Sequence, residues 1–294
     1  MARNIKVDFY QVEVSPGGRT FKTILEDTGA LPHDGRVWKA IDQAPIRLDE
    51  FNSNDREITG DIVKIRMDAL PPKETLAGKR TTIEFEDDEG LGEATAFLYI
   101  PDLNVLIFQY NHTGVRSSSF CRYLTEMSKL NGGISLLPIL RKDAFDAMKK
   151  MPVVKELLVD VAKVKQLHTV VHNSEHDIEE GIDIIKAFEA PSVKLSIGMG
   201  KQRGSLPSVI KEVAKMLFKR AAPDDQSIVK LRINGRDEAG DFRVIDLLKY
   251  RMETIVEVAI PPGERRMLYP DKCDALRRAF NTYKSEIREL YKNP

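Results

Sequence analysis

Two apolar stretches, residues 94–100 and 105–110, are separated by the four residues Pro101-Asp102-Leu103-Asn104. Both stretches are rich in side chains that favour β-strands, whereas proline, aspartate and asparagine favour a turn. Such a short connection between two strands predicts a β-hairpin, whose strands are antiparallel. This feature restricts the first half of the chain to a fold built on a largely antiparallel sheet.

The remaining patterns add further strands and helices to this hairpin. Polar and apolar residues alternate in three more segments, which predicts strands at 5–14, 57–67 and 80–85. The first of these shows the pattern of a strand with one buried face. Apolar residues recur at three- and four-residue spacing in other segments, which predicts helices at 117–130, 206–220 and 271–291.

We therefore predict an α+β protein with two lobes, each a mostly antiparallel sheet with packed helices. The first lobe spans 1–150 and is joined by the C-terminal helix, 267–294. The apolar stripe of that helix needs a partner, and a linker with two prolines and a glycine at 261–266 permits the chain to return. The second lobe spans 151–266.

Composition excludes some classes of protein. The chain has 294 residues with 45 Lys and Arg against 45 Asp and Glu, so its formal net charge is zero. This balance excludes a protein coated by nucleic acid on every side. No apolar run approaches the 18 residues or more of a membrane span, and no secretory apolar core follows Met1. Cys121 and Cys273 lack a metal-like or redox spacing, so we expect free thiols and a cytoplasmic location.

Charge is distributed unevenly along the chain. Residues 1–100 carry 13 Lys and Arg against 19 Asp and Glu, while residues 193–220 carry seven basic residues against the single acid Glu212. Partners with negative charge are therefore expected at the second of these segments.

A glycine-containing basic loop at 198–204 lies between a predicted strand and a predicted helix beginning near Ser205. There, backbone N–H groups, a helix N-terminus, Lys201 and Arg203 could meet an anion. The spacing matches neither the Walker A loop nor the dinucleotide-binding pattern. The alternatives are a solvated connector or a sequence-independent phosphate contact.

The helix after this loop carries a lysine stripe. Lys211, Lys215 and Lys219 recur at four-residue spacing and share one face, which Arg220 extends. Like charges at this spacing oppose each other, so helix stability does not explain them. The stripe is either a solvated face or, with the basic loop, a surface that follows a DNA backbone. Because Phe218 is the sole aromatic residue nearby, duplex DNA is favoured over stacked single strands.

An acidic turn at 236–241 follows another predicted strand. Asp237, Glu238 and Asp241 could hold Mg²⁺ or Mn²⁺ in a nuclease site. The alternative is a plain β-turn in which Gly240 supplies a positive φ. No Glu-x-Lys pair follows at 237–258 to complete the nuclease, so we predict neither a metal nor a cofactor.

Three histidines also recur at four-residue spacing. On one helix, His168, His172 and His176 could bind Zn²⁺. The segment Thr169-Val170-Val171 favours a strand instead, which makes polar residues at a strand end the preferred interpretation.

Several short motifs, in the same order along the chain, resemble the RexA-like phage-exclusion family of lambda-type prophages. They are the turn at 237–241, the run Asp87-Asp88-Glu89-Gly90-Leu91-Gly92, the strand at 194–197 with its basic loop, the helix containing Glu212-Val213-Ala214-Lys215, and Lys284-Ser285-Glu286-Ile287 in the last helix.

This resemblance implies a homodimeric, two-domain, DNA-binding protein without known enzymatic activity. It implies an intracellular sensor of phage DNA or of replication complexes, which passes a signal to a membrane effector protein. We do not expect the chain itself to enter the membrane. The residues Lys201, Arg203, Lys211 and Lys215 fall where duplex contacts are expected. The chain departs from the family in having two glycines before Lys201. The acidic turn is then interpreted as a regulatory gate beside the binding surface.

The preferred hypothesis is thus a homodimer that binds double-stranded DNA with weak or no sequence preference, acting in phage exclusion, with 151–266 as the DNA-binding and dimerisation region. One rival is a metal-dependent nuclease that uses the turn at 237–241. The other is an interaction module of a defence complex that does not contact DNA.

Overall fold

The computed structural model describes residues 2–15, 18–40, 43–68, 70–162, 192–221 and 228–291. The three histidines considered for zinc and the segment containing them lie outside the described residues. Within the described ranges the chain divides into two compact units. The first unit is Met1–Leu136 with Glu253–Pro294, and the second unit is Leu137–Met252.

The strands of the first unit are β1 Ala2–Val14, β2 Val37–Trp38, β3 Ile46–Ser53, β4 Ile58–Arg66, β5 Lys73–Glu74, β6 Arg80–Thr81, β7 Leu91–Ile100, β8 Val105–Tyr110 and β14 Glu253–Ala259. Strand β9, Ile134–Pro138, crosses the boundary between the units. The second unit has β10 Val153–Ala162, β11 Ser192–Gly198, β12 Ile228–Arg236 and β13 Phe242–Asp246. The α-helices of the described ranges are α1 Phe21–Ala30, α2 Ser117–Ser128, α3 Lys142–Lys149, α4 Val209–Arg220 and α5 Tyr269–Tyr291.

The first unit is built on an antiparallel sheet. Its described strands follow the order β14-β1-β8-β7-β4-β3-β2, with β9 paired to β1 beside this path. The predicted hairpin is β7–β8, with Ile100 opposite Val105. Asn104 ends the turn at φ 52°, and its side-chain amide donates to the Val12 carbonyl at 2.7 Å. The antiparallel α+β class predicted from the sequence is confirmed.

Helices cover both faces of this sheet. Helices α1 and α2 bury one face around an aromatic and aliphatic core that includes Tyr10, Phe21, Ile24, Phe97, Phe108, Phe120 and Tyr123. On the opposite face, Phe9 of β1 meets Tyr283 of α5 edge to face, with ring centroids 5.4 Å apart. The prediction of one buried face for β1 is therefore wrong, because α5 arrives from more than 250 residues away in sequence to cover the other face.

The described strands of the second unit form a smaller antiparallel sheet in the order β11-β10-β12-β13. Its core contains Val154, Leu157 and Val159 of β10 together with Met148 of α3 and Phe218 of α4. On the other side of the sheet, polar side chains pair across neighbouring strands. Lys230 lies 3.1 Å from Asp160, and Arg232 lies 2.9 Å from Asp246.

The unit boundaries differ from the predicted ones at 150/151 and 266/267. Helix α3 belongs to the second unit because Ala144 and Met148 are buried in its core. Strand β14 belongs to the first unit because it pairs along β1, from Glu253 opposite Asp8 to Ala259 opposite Ala2. Local patterns could not reveal either association, since both depend on partners far away in sequence.

No helix in the described part of the chain combines the length and apolar character needed to cross a lipid bilayer.

Candidate nucleic-acid interface and acidic turn

The basic loop after β11 is attached to the start of β10. The Met199 amide donates to the Lys155 carbonyl at 3.0 Å, and the Leu206 amide donates to the Val154 carbonyl at 2.8 Å. Between these anchors, Gly200 takes a φ of +54°, which permits a tight turn. The side chains of Lys201 and Arg203 are exposed on this loop.

The loop does not lead directly into a helix N-terminus. Helix α4 begins at Val209, not near Ser205, and no side chain caps it. The backbone before it is used elsewhere, because Ser205 accepts a hydrogen bond from the Val154 amide at 2.9 Å and Leu206 bonds to the same residue. The prediction that Lys201 and Arg203 adjoin a helix N-terminus is therefore wrong. The dipole of α4 does not add to the positive charge of these two side chains.

The lysine stripe of α4 faces α3 for most of its length. The Lys211 ammonium donates to the carbonyls of Met148 and Met151, at 2.6 and 2.7 Å, at the C-terminal end of α3. Burial, with help from the Lys215 charge, lowers the pKa of Lys211 below its usual value. The Met148 carbonyl lies in the last turn of α3 and also accepts the Met151 amide at 3.4 Å, so Lys211 adds a charged donor to this end of the helix.

Lys215 is also engaged within the second unit. Its ammonium lies 2.8 Å from Glu212 and 5.4 Å from the centre of the Phe145 ring. Lys219, at the end of the stripe, is exposed, and the side chain of Arg220 lies outside the described part. The interpretation of all three lysines as one solvated stripe is therefore wrong, since packing against α3 occupies the first two.

The two units differ in the sign of their formal net charge. The second unit carries 21 Lys and Arg against 17 Asp and Glu, while the first carries 24 against 28. Among the described residues, several cations of the second unit make ion pairs with acids; these include Lys230, Arg232 and Arg243. Four exposed cations from β11 to the end of α4 make no ion pair with another described side chain. We call them the cation set: Lys194, Lys201, Arg203 and Lys219.

The acidic turn closes the β12–β13 hairpin. The Asp237 amide donates to the Asp241 carbonyl, and the Gly240 amide donates to the Asp237 carbonyl, both at 3.0 Å. Gly240 has a φ of +85°, as the turn interpretation requires. Arg236 donates to the Gly240 carbonyl at 2.7 Å. The backbone of the turn is thus held by its own residues.

Both carboxylate oxygens of Asp237 are also used. One accepts the Asp241 amide at 2.9 Å and the other accepts the Arg243 guanidinium at 2.8 Å. The hydrogen bond from Arg243 is the main reason that the pKa of Asp237 lies below its usual value. Among the described residues, no group of three or more His, Cys, Asp or Glu side chains is placed to hold a metal ion.

Sequence reasoning missed the surroundings of this turn. Asp237 and Glu238 line a cavity of about 480 Å³ together with Lys150, Arg243 and Tyr250. Lys150 lies at the end of α3, far from the turn in sequence, so no local signal could have placed it there. Lys194 was missed as well, although its position in the basic segment 193–220 was a usable signal.

A family model described as a family of unknown function, DUF6731, matches residues 1–285. No curated protein matches the chain. These comparisons attach no activity to the chain, so the resemblance to the RexA-like family stays a prediction.

Proposed function

Because this chain belongs to the DUF6731 family of unknown function, we propose from its own residues that it binds double-stranded DNA with little sequence preference, through the cation set of its second unit. The observation that carries this proposal is the exposure of four cations in one segment without an acid to neutralise them among the described residues. Such cations displace counterions from phosphates, which supplies most of the affinity in non-specific binding.

The surroundings of the cation set favour a duplex as the ligand. Phe218 is the one aromatic residue in the described segment 192–221, and it is 1% exposed. Single-stranded binding sites rely on exposed rings on which bases stack. The described segment that carries the cation set has no exposed ring, so it fits the phosphate backbone of a duplex better than stacked single-stranded bases.

The other parts of the hypothesis depend on the resemblance. The homodimer, the sensing of phage DNA, the membrane effector and the cytoplasmic location stay predictions. The regulatory role of Asp237, Glu238, Gly240 and Asp241 is also a prediction. The Arg243 guanidinium donates a hydrogen bond to the Asp237 carboxylate, so displacement of Arg243 would release this carboxylate for the regulatory role.

A mobility-shift titration of duplex DNA against salt tests the proposal. With four phosphate contacts, affinity is expected to fall about 100-fold between about 50 and about 200 mM salt. Exchanging Lys201 and Arg203 for glutamate should weaken binding to all DNA sequences about equally and lower the salt slope by about two contacts. A flat salt response, or no shift at low salt, would contradict the proposal.

Two control variants make the result interpretable. Lys79→Glu gives a charge change of the same kind on an exposed lysine of the first unit and should leave DNA binding nearly unchanged. Lys211→Met removes a cation from the stripe that is already engaged with α3 carbonyls, so its salt slope should match that of the unmodified protein. Equal weakening by Lys79→Glu would indicate a general charge effect instead of a surface on the second unit.

A plasmid incubated with Mg²⁺ or Mn²⁺ tests the nuclease alternative. Both oxygens of Asp237 already accept hydrogen bonds, so we expect the plasmid to stay intact at high protein excess. Cleavage that Asp237→Asn abolishes would favour the nuclease.

A further inference from the structure

A cavity of about 720 Å³ lies in the first unit, along α5. The β3–β4 turn borders it through Arg56, and the β7–β8 turn borders it through Asp102. Its apolar lining is provided by Ile100, Leu103 and Phe280, each of which is at most 8% exposed. The volume falls within the range of about 300–1,000 Å³ that small-molecule sites occupy.

Four cations border this cavity. One of them, Arg277, is already engaged: its guanidinium lies 2.8 Å from Glu57 and 2.7 Å from Asp274. The pairing with Glu57 is the main reason that the pKa of Arg277 lies above its usual value. Arg277 therefore neutralises Glu57 and contributes little free charge to the cavity.

The other three cations are available to a ligand. Arg56, Lys284 and Arg288 make no ion pair with another described side chain, and Asp102 is the one remaining acid in the lining. The Lys284 ammonium lies 5.8 Å from the centre of the Phe280 ring, so it stands over the apolar lining. This excess of positive charge occurs in the unit that carries fewer basic than acidic residues overall.

Helix stability does not account for the arrangement. Lys284 and Arg288 are four residues apart on α5, where like charges oppose each other. The dipole of α5 favours cations near its C-terminal end. It does not explain Arg56, which lies in the β3–β4 turn. Convergence of cations from two elements above an apolar lining is typical of a site for an amphiphilic anion.

We propose that this cavity binds a small phosphate monoester that carries an apolar or aromatic body. The body contacts Ile100, Leu103 and Phe280, while the phosphate accepts hydrogen bonds from Arg56, Lys284 and Arg288. This site is separate from the proposed DNA surface, since all its lining residues belong to the first unit.

Isothermal titration calorimetry with 1-naphthyl phosphate tests the site, with 1-naphthol and inorganic phosphate as comparison probes. We expect saturable binding of naphthyl phosphate and weaker binding of both comparison probes, because each lacks one half of the recognised chemistry. Lys284→Glu and Arg288→Glu should each weaken binding about 10-fold or more, as expected for loss of a hydrogen bond between charged groups.

Lys79→Glu, which makes the same charge change away from the cavity, is the matched control and should leave the affinity unchanged. Far-UV circular dichroism of each variant establishes that it is folded. The absence of saturable naphthyl phosphate binding at millimolar concentration would overturn the proposal. So would equal weakening by Lys79→Glu, or naphthol binding as tightly as naphthyl phosphate.

Discussion

The ion pair between Lys272 of α5 and Asp61 of β4 offers the sharpest test of the energetics of the first unit. The two side chains are 4% and 8% exposed, and the ammonium donates to one carboxylate oxygen at 2.7 Å. Beside them, the hydroxyls of Thr59 and Tyr269 share a hydrogen bond of 2.8 Å. These contacts form a polar patch where α5 packs on the sheet.

Removing one partner leaves the other charge buried without compensation. Lys272→Met is therefore expected to lower the free energy of unfolding by about 3–5 kcal/mol. In a unit of this size such a loss corresponds to a fall in the thermal midpoint of about 6–20 °C. Replacing both partners, Lys272→Met with Asp61→Leu, should cost much less than the single change and can even stabilise the unit.

The pKa of Asp61 supports the prediction for the double replacement. Burial raises this pKa above its usual value of 3.8 even though the Lys272 charge opposes the shift. The charges of Asp49 and Glu50 add to this upward shift, so the charged form of Asp61 is disfavoured in the folded state even beside Lys272. In Lys272→Met the folded-state pKa of Asp61 should rise further, so the variant regains stability as the pH falls through that value and loses it as the pH rises.

Trp38 makes the measurement specific to the first unit. It is the one tryptophan in the chain, and it packs partly buried against the core of that unit. Urea unfolding followed by its fluorescence therefore reports on the unit that contains the ion pair. Lys22→Met is the matched control, because Lys22 pairs with Glu26 at the surface at 3.9 Å. This control should cost less than about 1 kcal/mol. A cost below about 1 kcal/mol for Lys272→Met, or a double variant as unstable as the two single variants combined, would refute the reasoning.

Three further outcomes are expected in the second unit. Lys211→Met removes two hydrogen bonds from carbonyls at the end of α3, so urea unfolding followed by near-UV circular dichroism should show a loss of about 1–3 kcal/mol. Gly240→Ala meets open space but must hold φ near +85°, and should cost about 1 kcal/mol or more in the same assay, whereas Gly198→Ala, with ordinary contacts and no positive φ, should cost less. The Arg243 guanidinium holds the pKa of Asp237 below 3.8, so its stabilisation is present above that value and lost as the pH falls through the lower folded-state value. Asp237→Asn should therefore show a flatter loss of thermal stability in acid than the unmodified protein.

Features that depend on neighbouring residues were predicted well. The β7–β8 hairpin has the predicted turn, and α2 and α5 begin within two residues of their predicted starts. The acidic turn takes the conformation that its glycine indicated. In each case the relevant interactions join residues only a few positions apart, so the sequence pattern contains them.

The candidate site was predicted less completely, because contacts with residues far away in sequence decide which of its side chains are engaged and which are exposed. The lysine spacing on α4 correctly placed Lys211 and Lys215 on one face, but nothing in the spacing indicates that α3 lies against that face. The Lys211 ammonium meets carbonyls about 60 residues earlier in the chain. Lys201, Arg203 and Lys219 are exposed in the folded unit. Their exposure likewise depends on tertiary packing, which the spacing of residues does not indicate.

The sequence by itself determined the α+β class, the antiparallel hairpin and the amphipathic helices, since periodicity and turn chemistry are local properties. Only the tertiary structure decided that α5 covers the second face of β1, that Lys211 donates to the carbonyls of Met148 and Met151, and that cations from two elements border one cavity. Each of these results requires two segments to meet across a long stretch of chain. Burial, charge pairing and the availability of a side chain to a ligand are set by that meeting, and not by residue type or spacing.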